Sequence, residues 1–199
     1  MQEENIESII ALYSSGEFQE ALNAIEKLII EESNEALLFN IKGACYAGME
    51  NLTLAKENYE KAIALNPKYS RAYFNLAGVF HELKEFDASI QSYQKAIHIE
   101  PDYAEAHNNL GNVFRESSEL VEAVESFKKA IKINPNYVEA LYSLGTSFQE
   151  LGQLEETVKC FEQAIKIRPD LTGIHNNLGN ILRDLDRYDE AILSYKKAI

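Results

Sequence analysis

The chain has 199 residues, 32 acidic against 19 basic side chains, a formal net charge of -13 and no tryptophan. Such an acid excess excludes a binder of nucleic-acid backbones, which neutralises phosphates with Lys and Arg, and makes an anionic membrane a poor partner. No apolar run approaches the ~20 residues of a spanning helix, and the start Met1-Gln2-Glu3-Glu4 lacks the basic and apolar regions of a secretory signal, so a cytoplasmic protein is expected.

The only prolines, Pro67, Pro101, Pro135 and Pro169, lie 34 residues from one another, the length of a two-helix repeat. With proline at position 32 of each unit, residues 1–199 read as a single array of units 2–35, 36–69, 70–103, 104–137, 138–171 and 172–199, the last incomplete. The fold class expected is all-α, a right-handed solenoid of six antiparallel helix pairs.

Unit one holds much of the acid: residues 1 to 35 contain nine glutamates and one lysine, read as a solvated capping face. It departs from the other units with Ser8 and Ile9 at positions 7 and 8 and Ser33 at position 32, and unit two places Lys42 at position 7. In each unit, apolar or small residues at positions 4, 7, 8 and 11, and again at 17, 20, 21, 24, 27 and 28, predict two amphipathic helices, A and B. The break falls near positions 15 and 16, at Gly16 and Gly152 but equally at Lys84-Glu85 and Asp186-Arg187, and the proline ends helix B. Position 8 carries Gly43, Ala77, Gly111, Gly145 and Gly179, while position 24 carries Tyr59, Tyr93, Phe127, Phe161 and Tyr195, so small residues are set to meet large ones. In the last unit the pattern stops inside helix B at Ile199, which leaves Ile192, Tyr195 and Ile199 awaiting a neighbour. Continuation of the natural chain is the first expectation. The alternative is head-to-tail self-association, with Ile6, Ile9 and Ile10 of one copy on the open end of another.

This register, with Asn109-Leu110-Gly111-Asn112, Phe114, Ala123, Phe127, Ala130 and Pro135 at their fixed offsets, resembles the tetratricopeptide repeat signature over essentially the whole chain. It is similar to the arrays of O-linked N-acetylglucosamine transferases and of bacterial tetratricopeptide repeat proteins. The resemblance implies that helix A lines the concave side of the superhelix, and that asparagines there hold extended peptides.

Asparagine recurs on that stripe: Asn75, Asn109 and Asn177 with Ser143 at position 6, Asn112 and Asn180 at position 9, and Asn40, Asn108 and Asn176 at position 5. It costs a helix interior about half a kcal/mol relative to alanine, so its return asks for a reason. A carboxamide offers donor and acceptor together, which matches a peptide backbone without reading its side chains. Duplication, visible in the two copies of His-Asn-Asn-Leu-Gly-Asn at His107 and His175, accounts for the pattern equally well. Phe74 and Tyr142 at position 5, with Arg115 and Arg183 at position 12, are the expected selectivity residues, beside an acidic row of Glu82, Glu116, Glu150 and Asp184 at position 13. Positions 5 and 6 of units two to six hold no Lys or Arg, so a clamp for terminal carboxylates is not expected.

Chemistry is not expected of this chain. Cys45 and Cys160 fall in different repeats, too far apart to bridge, as do His107 and His175, and no zinc spacing or glycine-rich phosphate loop occurs. The expected function is a non-catalytic scaffold that binds a protein or peptide segment in its groove, without metal or cofactor. The alternative is the substrate-recruiting arm of a larger enzyme such as a glycosyltransferase.

Overall fold

The computed structural model describes the backbone of residues 2–32 and 35–199, and the side chains of 6–29 and 35–199. Ser33, one of the expected departures in unit one, lies outside them. The described residues form helices only: α1 Gln2–Ser14, α2 Phe18–Glu32, α3 Ala36–Gly48, α4 Leu52–Leu65, α5 Ser70–Glu82, α6 Phe86–Ile99, α7 Ala104–Glu116, α8 Leu120–Ile133, α9 Val138–Glu150, α10 Leu154–Ile167, α11 Thr172–Asp184 and α12 Tyr188–Lys197. Odd-numbered helices are the expected A elements and even-numbered ones the B elements, giving six helix pairs. They gather into two compact units, Met1–Pro101 and Asp102–Ile199.

The turn from A to B is one motif repeated. At position 15 the backbone is left-handed in all six pairs: Gly16 (φ 82), Glu50 (φ 59), Lys84 (φ 61), Ser118 (φ 68), Gly152 (φ 72) and Asp186 (φ 60). The N–H of the next residue then reaches back five residues, as in Glu119 to the Phe114 carbonyl at 2.8 Å and Gln153 to that of Phe148 at 2.8 Å, while the N–H of position 15 bonds the carbonyl of position 12. This Schellman pair satisfies carbonyls that the helix end would otherwise leave open. Only two of the six positions use glycine, the residue that takes this conformation without cost.

The B to A turn follows from proline. Asn66, Glu100, Asn134 and Arg168 precede the prolines, and all have φ between -136 and -122 and ψ between 86 and 93. Proline Cδ forbids helical backbone to its predecessor, so helix B must stop there. Asn66 and Asn134 add a side-chain bond, accepting from the N–H of Lys68 at 3.1 Å and of Asn136 at 3.2 Å.

Packing within a pair is set by positions 8 and 24. A Cβ at Gly43, Gly111, Gly145 or Gly179 would stand 2.6–2.7 Å from a ring carbon of Tyr59, Phe127, Phe161 or Tyr195 respectively. Phe127 and Phe161 are fully buried on these flat glycine surfaces. In the first compact unit, one core joins Ile9, Ala21, Ile25, Leu28, Leu38 and Cys45, and a second joins Ala55, Tyr59, Leu76 and Val79. The second unit is centred on Leu141, Val158, Phe161, Leu178, Ile181 and Leu182. Ile9, expected as part of a docking end, belongs instead to the core of its own unit, and Ser8 and Ala11 occupy the exposed face beside it. At α12, Ile192 is 52% exposed whereas Val124 and Val158 at the same position are buried. No described helix is long and apolar enough to cross a membrane.

Candidate functional site

Within each compact unit the A helices place predicted asparagines at the seams between neighbours. In the first compact unit, Asn75 Nδ2 donates to Asn40 Oδ1 at 3.0 Å, joining position 6 of α5 to position 5 of α3, and Asn40 is buried. The same link recurs in the second unit, where Asn177 Nδ2 of α11 donates to the Tyr142 hydroxyl of α9 at 3.1 Å. Between α7 and α9 the equivalent pair is Asn108 and Ser143, and there the link is open. Asn108 turns its Nδ2 to Asn109 Oδ1 at 3.2 Å, and its own Oδ1 is buried without a donor. The serine side chain is shorter than the asparagine that makes the link elsewhere.

Other predicted residues are partly absorbed by the fold. Asn180 Oδ1 accepts from the Tyr195 hydroxyl at 2.8 Å, tying α11 to α12. Phe74 meets Tyr93 edge-on at 5.6 Å and is half-buried. Arg115 bonds Glu150 at 3.2 Å, and Arg183 bonds Asp184 at 2.9 Å, so these two members of the acidic row each have a cation beside them. Asn112 is half-buried and Asn176 exposed.

Four predicted residues, Tyr142, Ser143, Asn176 and Asn177, line one cleft of about 440 Å³ between α9 and α11. Its remaining walls come from Val138, Glu139, Arg168, Leu171, Gly173 and Ile174. The Tyr142 ring stacks on Phe161 at 5.6 Å with 19° between the planes, which fixes its hydroxyl at the rim. Arg168 Nη1 reaches Glu139 Oε1 at 3.4 Å, with both side chains at least half exposed. Sequence reasoning looked along helix A and missed these flanking positions, although Arg168 is the only cation preceding a proline, where Asn66, Glu100 and Asn134 stand elsewhere.

His175 and the two cysteines have packing roles. His175 Nε2 lies 3.0 Å from the Pro169 carbonyl and donates to it, fastening α11 to the preceding turn. Cys45 and Cys160 are free and buried, and burial pushes each thiol up to about 11. No group of His, Cys, Asp and Glu able to hold a metal occurs among the described residues.

Among solved structures, MamA superposes with a TM-score of 0.74 at 27% identity, covering 80% of this chain and 93% of that one. YrrB, described as a TPR protein with an unusual peptide-binding site, gives 0.74 at 21% identity over 88% of this chain and 91% of that one. Among curated proteins, Mus musculus tetratricopeptide repeat protein 16 is 36% identical over 55 residues, 28% of this chain and 7% of that protein. A small glutamine-rich tetratricopeptide protein of Dictyostelium discoideum is 33% identical over 63 residues, 32% of this chain. The chain thus spans only 7% and 19% of the lengths of these relatives. The family described as TPR repeat matches residues 78–116 and 111–152, and those described as tetratricopeptide repeat match 36–69, 58–91, 138–171 and 174–199. With six helix pairs on a 34-residue period and these matches reaching from residue 36 to 199, the chain belongs to the tetratricopeptide repeat family.

Proposed function

We propose that this protein is a non-catalytic interaction scaffold whose helix A faces receive an extended segment of a protein partner. The observation that carries the reading is the α9–α11 cleft, which gathers Tyr142, Ser143, Asn176 and Asn177 around an apolar floor. Carboxamides there retain donors and acceptors for a peptide main chain, and Asn112 adds another in α7. Peptide binding described for YrrB supports this reading by analogy of fold. Neither nucleic acid nor membrane suits a net charge of -13.

Random peptides displayed on phage and selected on the full chain test it. Enriched sequences that bind in calorimetry, and bind less well to Asn177→Ala, are expected. A selection that enriches nothing above a blank surface removes the proposal.

A further inference from the structure

The rim of the α9–α11 cleft carries several donors that the fold leaves open. The Tyr142 hydroxyl accepts from Asn177, so its own proton is left for a ligand, and stacking on Phe161 sets its direction. Arg168 spends a single N–H on Glu139 at 3.4 Å and keeps the rest of its fork at the cleft wall. Asn176 has no partner among the described residues, and Asn177 retains its second N–H. Beneath this rim Val138, Leu171 and Ile174 form an apolar floor.

Resting on the peptide-binding reading above, we infer that this cleft recognises an extended segment that seats one large apolar side chain on that floor and places a side-chain carboxylate beside it, on Arg168 and Tyr142. Arg168 selects the carboxylate: it is the cleft's one cation, and its bond to Glu139, the cleft's one anion, is long and solvent-exposed and so open to exchange for a ligand carboxylate. It also limits it to that place. Across the chain acids outnumber bases 32 to 19, so a carboxylate elsewhere along the segment is repelled. A cleft of about 440 Å³ has room for one such side chain and the adjoining main chain.

The test is a titration of the isotope-labelled full chain, followed by amide chemical shifts, with synthetic peptides of about a dozen otherwise uncharged residues carrying Leu-Glu, Leu-Gln, Leu-Lys or Ala-Glu at the centre. Leu-Glu is expected to bind roughly fivefold tighter than Leu-Gln and tighter still than Leu-Lys, moving the amides of Tyr142, Gly173 and Asn177. Arg168→Gln, at an exposed site that leaves the fold intact, levels Leu-Glu with Leu-Gln, and Arg168→Glu makes Leu-Lys the best ligand. Equal or better binding of Leu-Lys to the unaltered chain overturns the inference, as does a ranking that survives Arg168→Gln. Phage-selected peptides that shift only amides outside α9 and α11 also overturn it, while leaving the peptide-binding reading in place. If nothing binds in either experiment, both fall.

Discussion

The left-handed residue at position 15 lends itself to a quantitative prediction. Ser118 at φ 68 and Gly152 at φ 72 close the same motif in the same compact unit, with matching bonds of 2.8 Å from Glu119 and Gln153. Both are exposed, and a Cβ added to Gly152 meets nothing within 4 Å, so packing does not differ between them. Left-handed backbone costs a residue with a Cβ about 1–2 kcal/mol, and glycine returns about 0.5–1 kcal/mol of this in extra freedom of the unfolded chain. Ser118→Gly should therefore stabilise by about 0.5–1 kcal/mol, and Gly152→Ser should destabilise by about as much. With a urea dependence of about 2 kcal/mol/M, the midpoints followed by circular dichroism move by about 0.25–0.5 M in opposite directions, and the double exchange returns close to the starting value. Hydrogen exchange at the Glu119 and Gln153 amides reads the same change locally, independent of whether the array unfolds in one step. A Ser118→Gly protein no more stable than the parent would refute the reasoning, since no other contact of that side chain accounts for a loss.

Gly145→Ala sets a Cβ 2.6 Å from Phe161 Cε1 and 3.2 Å from Cys160 Cβ. Its overpacking cost of about 1–3 kcal/mol exceeds the gain of about 1 kcal/mol in helix propensity, so thermal melting should show a net loss. Asn75→Ala strands the buried Asn40 Oδ1 and should cost about 1–3 kcal/mol in urea unfolding, whereas the Asn177 bond ends on a more exposed hydroxyl and its loss should cost less. Ser143→Asn offers Asn108 Oδ1 the donor it lacks and should stabilise by about 0.5–1.5 kcal/mol; an unchanged melting temperature would show that the seam geometry does not carry over. Cys45 and Cys160, held protonated to about 11, should resist Ellman's reagent at pH 8 until the protein unfolds. Because the native state keeps protons that the unfolded state releases from about 9, stability from these thiols is lost as pH rises from that value towards about 11, a trend that urea midpoints measured along the pH scale check.

The helices and their pairing were legible because they rest on periodic patterns: prolines dictate where helix B stops, and the glycine at position 8 pairs with the ring at position 24. The turn at position 15 was placed correctly, but its conformation was hidden, since Glu50, Lys84, Ser118 and Asp186 carry no sequence mark of left-handed backbone. For the candidate site, a stripe along helix A found Tyr142, Ser143, Asn176 and Asn177, yet not Arg168 or Leu171, which reach the cleft from the connecting turn. Nor does spacing reveal that Asn40 and Asn75 spend a bond on each other, because that depends on how closely two successive A helices approach.

That mutual bonding has a thermodynamic corollary. The amide groups at the seams serve both to join neighbouring helices and, on the proposed reading, to greet a ligand, so Asn177 cannot give up its bond to Tyr142 without loosening α11 from α9. Ligand affinity and the local spacing of these two helices are thereby linked variables: a bend that opens the seam alters what the cleft can hold, and an occupied cleft resists the bend.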